Sequence, residues 1–143
     1  MSAGESYKLR VRAHNLHGWG DWSDPTIVLS TGVPDQPDPP LTEINNIYVR
    51  ISWTDPSHNF EAIDQYKILL RHVDETSFSE ETEHCDGSNQ IIFLRKYCEV
   101  PVSVFTSADS PFQLIAGDVV VAKVAARNQN GWGSYSEPNT VGA

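Results

Sequence analysis

No apolar run in this chain approaches the length needed to cross a bilayer, and its first residues lack the charged and apolar regions of a secretory signal. Membrane insertion by this segment is therefore not expected, and a secreted native protein would have to begin upstream of Met1. Basic residues are scarce, ten Lys and Arg against nineteen Asp and Glu, for a net charge of -9. A chain so charged repels nucleic acid and anionic lipid, so neither is an expected partner. There is no Gly-rich phosphate loop, nucleophile elbow or His-Glu-x-x-His, and the five histidines are scattered over loops and turns. No catalytic residue, no enzymatic activity and no cofactor are expected. His14 and His17 are spaced as a weak metal pair, but no carboxylate is placed to join them, so no metal site is expected. A strict asparagine glycosylation sequon is also missing. Cysteine is limited to Cys85 and Cys98. They either form a disulfide that closes a local loop or remain half-buried thiols. An even pair in a small β-rich chain favours the bridge and an oxidising compartment.

What is present in excess is self-similarity. The stretch from Ala3 to Pro25 returns as Ala116 to Pro138 at an offset of 113 residues, sharing Ala, Gly, Val, Ala, Asn, a whole Gly-Trp-Gly, Ser and Pro. Each copy reads as a strand, a turn and the start of a second strand. Tyr7, Leu9, Val11 and Ala13 alternate with Lys8, Arg10 and Arg12, the period of two of a strand with one packed face and one wet face. Asn15-Leu-His-Gly-Trp-Gly20 supplies the turn, and Thr26 to Thr31 the return strand. The second copy ends at Ala143, so its last strand is expected to be short.

Between the copies, Gly32 to Pro40 is dense in proline and reads as a stiff linker into an edge strand at Leu41–Ile44. In Tyr48–Trp53, Val49, Ile51 and Trp53 point inward. Tyr66, Ile68 and Leu70 do the same in the next strand, and Val124 and Ala126 in the repeated one. These spacings predict a core of Trp53, Val49, Ile51, Tyr66, Ile68, Val124 and Ala126. Residues 74 to 89 are acidic and read as a solvated loop or short edge strand, the acids not following EF-hand spacing. Ile91–Leu94 is an apolar run, and Tyr97–Phe105 a further strand candidate. Strands and turns with no convincing helical period indicate an all-β, antiparallel immunoglobulin-like β-sandwich.

Pro39-Pro40, Val49-Arg-Ile-Ser-Trp53 before Asp55-Pro56, Ile63-Asp-Gln-Tyr66-Lys-Ile68 and Val124 through Pro138 together resemble a fibronectin type III domain. The resemblance implies three parts. Residues 1–33 are the F-G hairpin of a preceding, incomplete repeat, 34–40 a Pro-rich linker, and 41–143 a full domain with a short last strand. The segment holding Cys85 and Cys98 is an insertion, and Val120 stands where the family usually has the Tyr seen at Tyr7. Gly18-Trp-Gly-Asp-Trp-Ser23 is similar to the tryptophan-serine box of cytokine receptors, which implies a cation-π ladder of Arg10 and Arg12 with Trp19 and Trp22. Its plain alternative is a surface ladder without receptor role.

Such a module implies an extracellular or cell-surface location and does not name a ligand. The leading expectation is a structural element of a long tandem-repeat protein or fibre, joined covalently or by β-strand complementation. Its partners are neighbouring copies of the repeat or subunit, meeting the inner face of Tyr7, Leu9, Val11 and Ala13. The alternatives are a receptor or adhesion ectodomain whose loops bind a protein ligand, and a spacer in a secreted carbohydrate-active enzyme.

Overall fold

The computed structural model describes residues 1–143. The N-terminal hairpin consists of β1 (Ser6–Leu9), β2 (His14–Asn15), β3 (Gly18–Trp19) and β4 (Thr26–Leu29). β1 pairs with β4 and β2 with β3, both antiparallel, with Tyr7 opposite Val28 and His14 opposite Trp19. Between these short ladders the strands stay joined by Gly20 N, which donates to Ala13 O at 2.9 Å, and by Ser23. Ser23 N donates to Val11 O at 2.8 Å, and Val11 N donates to Ser23 Oγ at 3.0 Å.

The remaining elements are β5 (Leu41–Asn45), β6 (Tyr48–Ser52), β7 (Gln65–Arg71), β8 (Phe78–Ser79), α1 (Gln90–Arg95), β9 (Tyr97–Pro101), α2 (Val102–Thr106), β10 (Ala122–Asn128) and β11 (Gly131–Trp132). One sheet has the order β5-β6-β9 and the other β11-β10-β7-β8. This is a fibronectin type III-like sandwich with A, B and E in one sheet and G, F, C and C′ in the other. The registers put Ile51 beside Cys98 in the first sheet, and Ile68 beside Val124 and Tyr66 beside Ala126 in the second. The inner faces of the two sheets pack a cluster of 15 buried residues that includes Val49, Ile51, Trp53, Tyr66, Ile68, Val124 and Ala126. Trp53 and Tyr66 meet across it with ring centroids 5.5 Å apart. The Tyr66 hydroxyl donates to Asp55. Burial, and then that bond, raise its pKa and keep it protonated.

Two details differ from the sequence reading. The apolar run at Ile91–Leu94 is not extended, and two short helices exist where no helical period was visible. Asn89 caps α1 by accepting from Ile91 N at 2.9 Å, and Lys96 ends it with φ 61° while its N–H returns to Ile92 O. A six-residue helix is too short to display a period. The strand expected over Tyr97–Phe105 stops at Pro101, which has no N–H for a ladder; α2 follows and sends Phe105 into the core. The proline stretch, read as a stiff linker, is packed besides, with Pro34 and Pro40 fully buried.

The last strand is short as a regular element, ending at Trp132, yet its edge stays paired beyond it. Ser136 N donates to Val124 O and Val124 N to Ser136 Oγ; Asn139 N donates to Ala122 O and Ala122 N to Asn139 Oδ1. Two side chains thus accept where strand carbonyls would. Ala143 N then donates to Thr42 O at 3.0 Å and ties the chain to β5 in the opposite sheet.

Candidate functional site

The two hairpin copies place equivalent residues in opposite environments. Val124, Ala126 and Asn128 are buried beneath the sandwich, whereas Val11, Ala13 and Asn15 are exposed. Val124 is 0% exposed and Val11 72%. Leu9 is exposed as well, and Tyr7 half-buried. Near the turn the backbone arrangement is nevertheless the same in both. Ser23 exchanges with Val11 the pair of bonds that Ser136 exchanges with Val124. Asn15 Oδ1 accepts from His17 N at 2.9 Å, as Asn128 Oδ1 accepts from Asn130 N at 2.9 Å. The first hairpin therefore has the local geometry of a closing hairpin and a bare inner face. Tyr7, whose counterpart Val120 lies in the core, has its hydroxyl accept from Ser2 N at 3.0 Å.

The outer face of that hairpin carries a stacked column. The Arg12 guanidinium lies 4.5 Å from the ring centres of both Trp19 and Trp22, and Arg10 lies 5.1 Å from Trp22. Each exposed pair contributes roughly 0.5–1 kcal/mol, which braces two chains with few backbone bonds between them. In the second copy Ala125 replaces Arg12, so the column must be rebuilt from next door. Lys67, opposite Ala125 on β7, sits 4.8 Å from Trp132, while Lys123 sits 5.0 Å from Tyr135 and 4.4 Å from Phe78.

Behind the hairpin is a joint that the sequence reading did not anticipate. Asn128 Nδ2 donates to Gly32 O at 2.7 Å, His58 O at 3.1 Å and Glu61 O at 3.2 Å. Asn130 Nδ2 holds Thr31 Oγ1 and Gly32 O, and Asn59 Nδ2 holds Val33 O and Asp35 Oδ1, both at 2.8 Å. Phe60, at φ 66°, lays its ring against Gly4 so closely that a Cβ there would overlap it. Side-chain amides thus satisfy the linker's carbonyls, which is why the linker packs rather than swings. The only sequence trace of the clamp was the asparagine shared at 15 and 128.

Cys85 and Cys98 are joined, with Cα atoms 5.1 Å apart, and both belong to the buried cluster. The bridge pins the acidic insertion to β9. Gly87 lies against the backbone of Tyr66, where a Cβ would overlap the carbonyl, and accepts from Tyr66 N at 3.2 Å. Reduction is expected to cost about 3 kcal/mol for a loop of this size, read as a lower urea midpoint in reductant. An unchanged midpoint would show that packing alone holds the insertion. Within that insertion the acids serve their own turns. Asp74 accepts from Thr76 N and from the backbone and hydroxyl of Ser77; the Ser77 side chain above all holds its pKa down at about 2. Glu81, Glu83 and His84 bring ligand atoms within 4.8 Å of one another, and Glu81 already accepts from His84 N. Of the spaced pair His14 and His17, His14 lies with its ring centre 4.7 Å from that of Trp19.

No protein-family model matches the chain. A curated relative, host cell factor homolog hcf-1 of Caenorhabditis elegans, is 28% identical over 143 residues, covering 94% of this chain and 17% of that protein. Among solved structures, titin domains A168–A170 superpose with a TM-score of 0.52 at 18% identity, over 80% of this chain and 34% of theirs. The twitchin kinase region of C. elegans gives 0.51 at 21% identity, over 76% and 16%. These likenesses show the fold. The chain is a fibronectin type III-like module that spans less than two thirds of hcf-1 and of these solved chains. None of its helices is long and apolar enough to cross a membrane.

Proposed function

We propose that this chain is a structural, non-catalytic piece of a tandem array, with residues 1–31 closing one sandwich and residues 34–143 forming the next. The observation that carries the reading is the pair of equivalent faces, buried at Val124, Ala126 and Asn128 and bare at Val11, Ala13 and Asn15. A lone two-stranded hairpin with one apolar face is marginal in water. The strands that cover it come from a preceding repeat of the same polypeptide or from a neighbouring subunit by strand complementation. The small share of the much longer hcf-1 that this chain matches supports the first source.

Val11→Asp tests this. In residues 1–143 alone the substitution should be silent, within about 0.5 kcal/mol, because the side chain is exposed. In the full-length native protein it should open the preceding sandwich and create protease-sensitive sites beside the hairpin. Native protein indifferent to Val11→Asp would remove the reading. The Arg-Trp ladder supports a second reading, a receptor or adhesion ectodomain, which requires a membrane span elsewhere in the native polypeptide. The extracellular placement rests on the Cys85–Cys98 bridge. Alkylation of protein from its native source without reductant decides it: two labelled thiols remove that placement, and none supports it.

A further inference from the structure

The joint seen at one end of the full domain has an unfilled counterpart at the other. Residues 2–5 and 115–118 are equivalent turns: Glu5 N donates to Ser2 O at 3.3 Å, and Asp118 N to Ile115 O at 3.0 Å. Their glycines share the left-handed conformation, Gly4 at φ 85° and Gly117 at φ 101°. Gly4 is capped by the Phe60 ring of the unit that follows it, and no atom lies within 4 Å of where a Cβ of Gly117 would be. Around Gly117 the surface is also more apolar than at the first turn. Ile115, 74% exposed, stands where the first copy has Ser2. Beside it opens a cleft of about 520 Å³, walled by Ile44, Val102, Phe105, Leu114 and Val120. Ile44, Ile47 and Val141 are further exposed apolar residues of the chain, Ile44 on that wall and Val141 next to the wall residue Gly142.

We infer that this pole is a docking surface for a further fibronectin type III-like unit, which sets an aromatic residue of its B-C loop on Gly117 and buries apolar surface in the adjacent cleft. The occupant is identified by the contact that the same chain makes one repeat earlier. A glycine at positive φ presents bare backbone, and an aromatic ring is the group that covers Gly4. Ile115 and the cleft offer the incoming loop more apolar area than Ser2 offers Phe60, so the second joint buries more than the first. The inference rests on the tandem reading, but concerns the opposite end of the domain.

The test builds the joint in register. Residues 31–143 are appended after Ala143, which continues the 113-residue offset between the two copies. In NMR spectra of the fused chain, the Gly117 Hα signals should move upfield under the ring of the appended Phe60, and the Ile115 methyls should shift with them. Both shifts should be lost when Phe60→Ala is introduced in the appended copy alone, while its remaining signals show that copy still folded. Gly117 and Ile115 signals identical in fused and unfused chains would overturn the inference. Shifts at this pole that grow with concentration in the unfused chain would also overturn it, assigning the surface to a second copy instead. Val11→Asp reads the hairpin face and not this pole, so the failure of one does not imply the failure of the other.

Discussion

Trp53→Ala is expected to destabilise the domain by roughly 3–5 kcal/mol, the range for removing a buried large aromatic side chain. Trp53 is 5% exposed and belongs to the same buried cluster as Val49 and Ile51 from its own sheet and Tyr66, Ile68 and Val124 from the facing one. Truncation leaves a cavity between two sheets that their ladders prevent from closing. Its Nε1 is buried without a hydrogen-bond partner, so the indole contributes through packing and not through a polar contact. Trp53→Phe, which keeps a ring and removes that N–H, should cost much less than the alanine variant. Urea denaturation of the three proteins checks both statements. Near-native stability of Trp53→Ala would show that the sheets are held together elsewhere.

The second large effect is a contrast between two equivalent asparagines. Asn128→Ala should cost about 3 kcal/mol, because one buried amide serves three carbonyls, and its removal leaves Glu61 O without a partner and Gly32 O and His58 O with only the Asn130 side chain and the Glu61 N–H. It should also free the linker, since Gly32 O is one of the three. Asn15→Ala removes the same residue from an exposed turn in which no loop is present to be held, so within residues 1–143 it should cost under about 1 kcal/mol. Thermal melts of both variants measure the contrast, and amide exchange at Gly32 and Val33 reports the loosened joint. Equal costs would mean that Asn15 already has partners and that the first hairpin is not waiting for any. In full-length protein with the preceding strands in place, Asn15→Ala should become as damaging as Asn128→Ala.

The repeat at 3–25 and 116–138, and the alternation of Val49, Ile51 and Trp53 against Arg50 and Ser52, were enough to read the sandwich and its inner residues. A strand's facing direction is encoded locally, by every second residue. The stack of Arg10 and Arg12 with Trp19 and Trp22 was implied by the likeness of Gly18–Ser23 to a tryptophan-serine box, and the rings and guanidinium groups do meet. Ile91–Leu94 shows where such reading stops, since four apolar residues in a row have no period and the Asn89 cap and Lys96 turn decide the conformation. The joint was invisible for a different reason. Asn59, Phe60, Asn128 and Asn130 come from two separate loops, and nothing in either loop states which carbonyls the other will present.

The sequence by itself thus determined the sheet-forming segments, their inner faces and the recurrence of one hairpin, because these depend on neighbours one or two residues apart. That the first copy has no strands of its own to cover it followed from the same recurrence; only the tertiary structure decided that the linker is clamped and that Gly4 is filled while Gly117 is open. Those are properties of what stands opposite a residue in space, which residues one or two positions away do not encode.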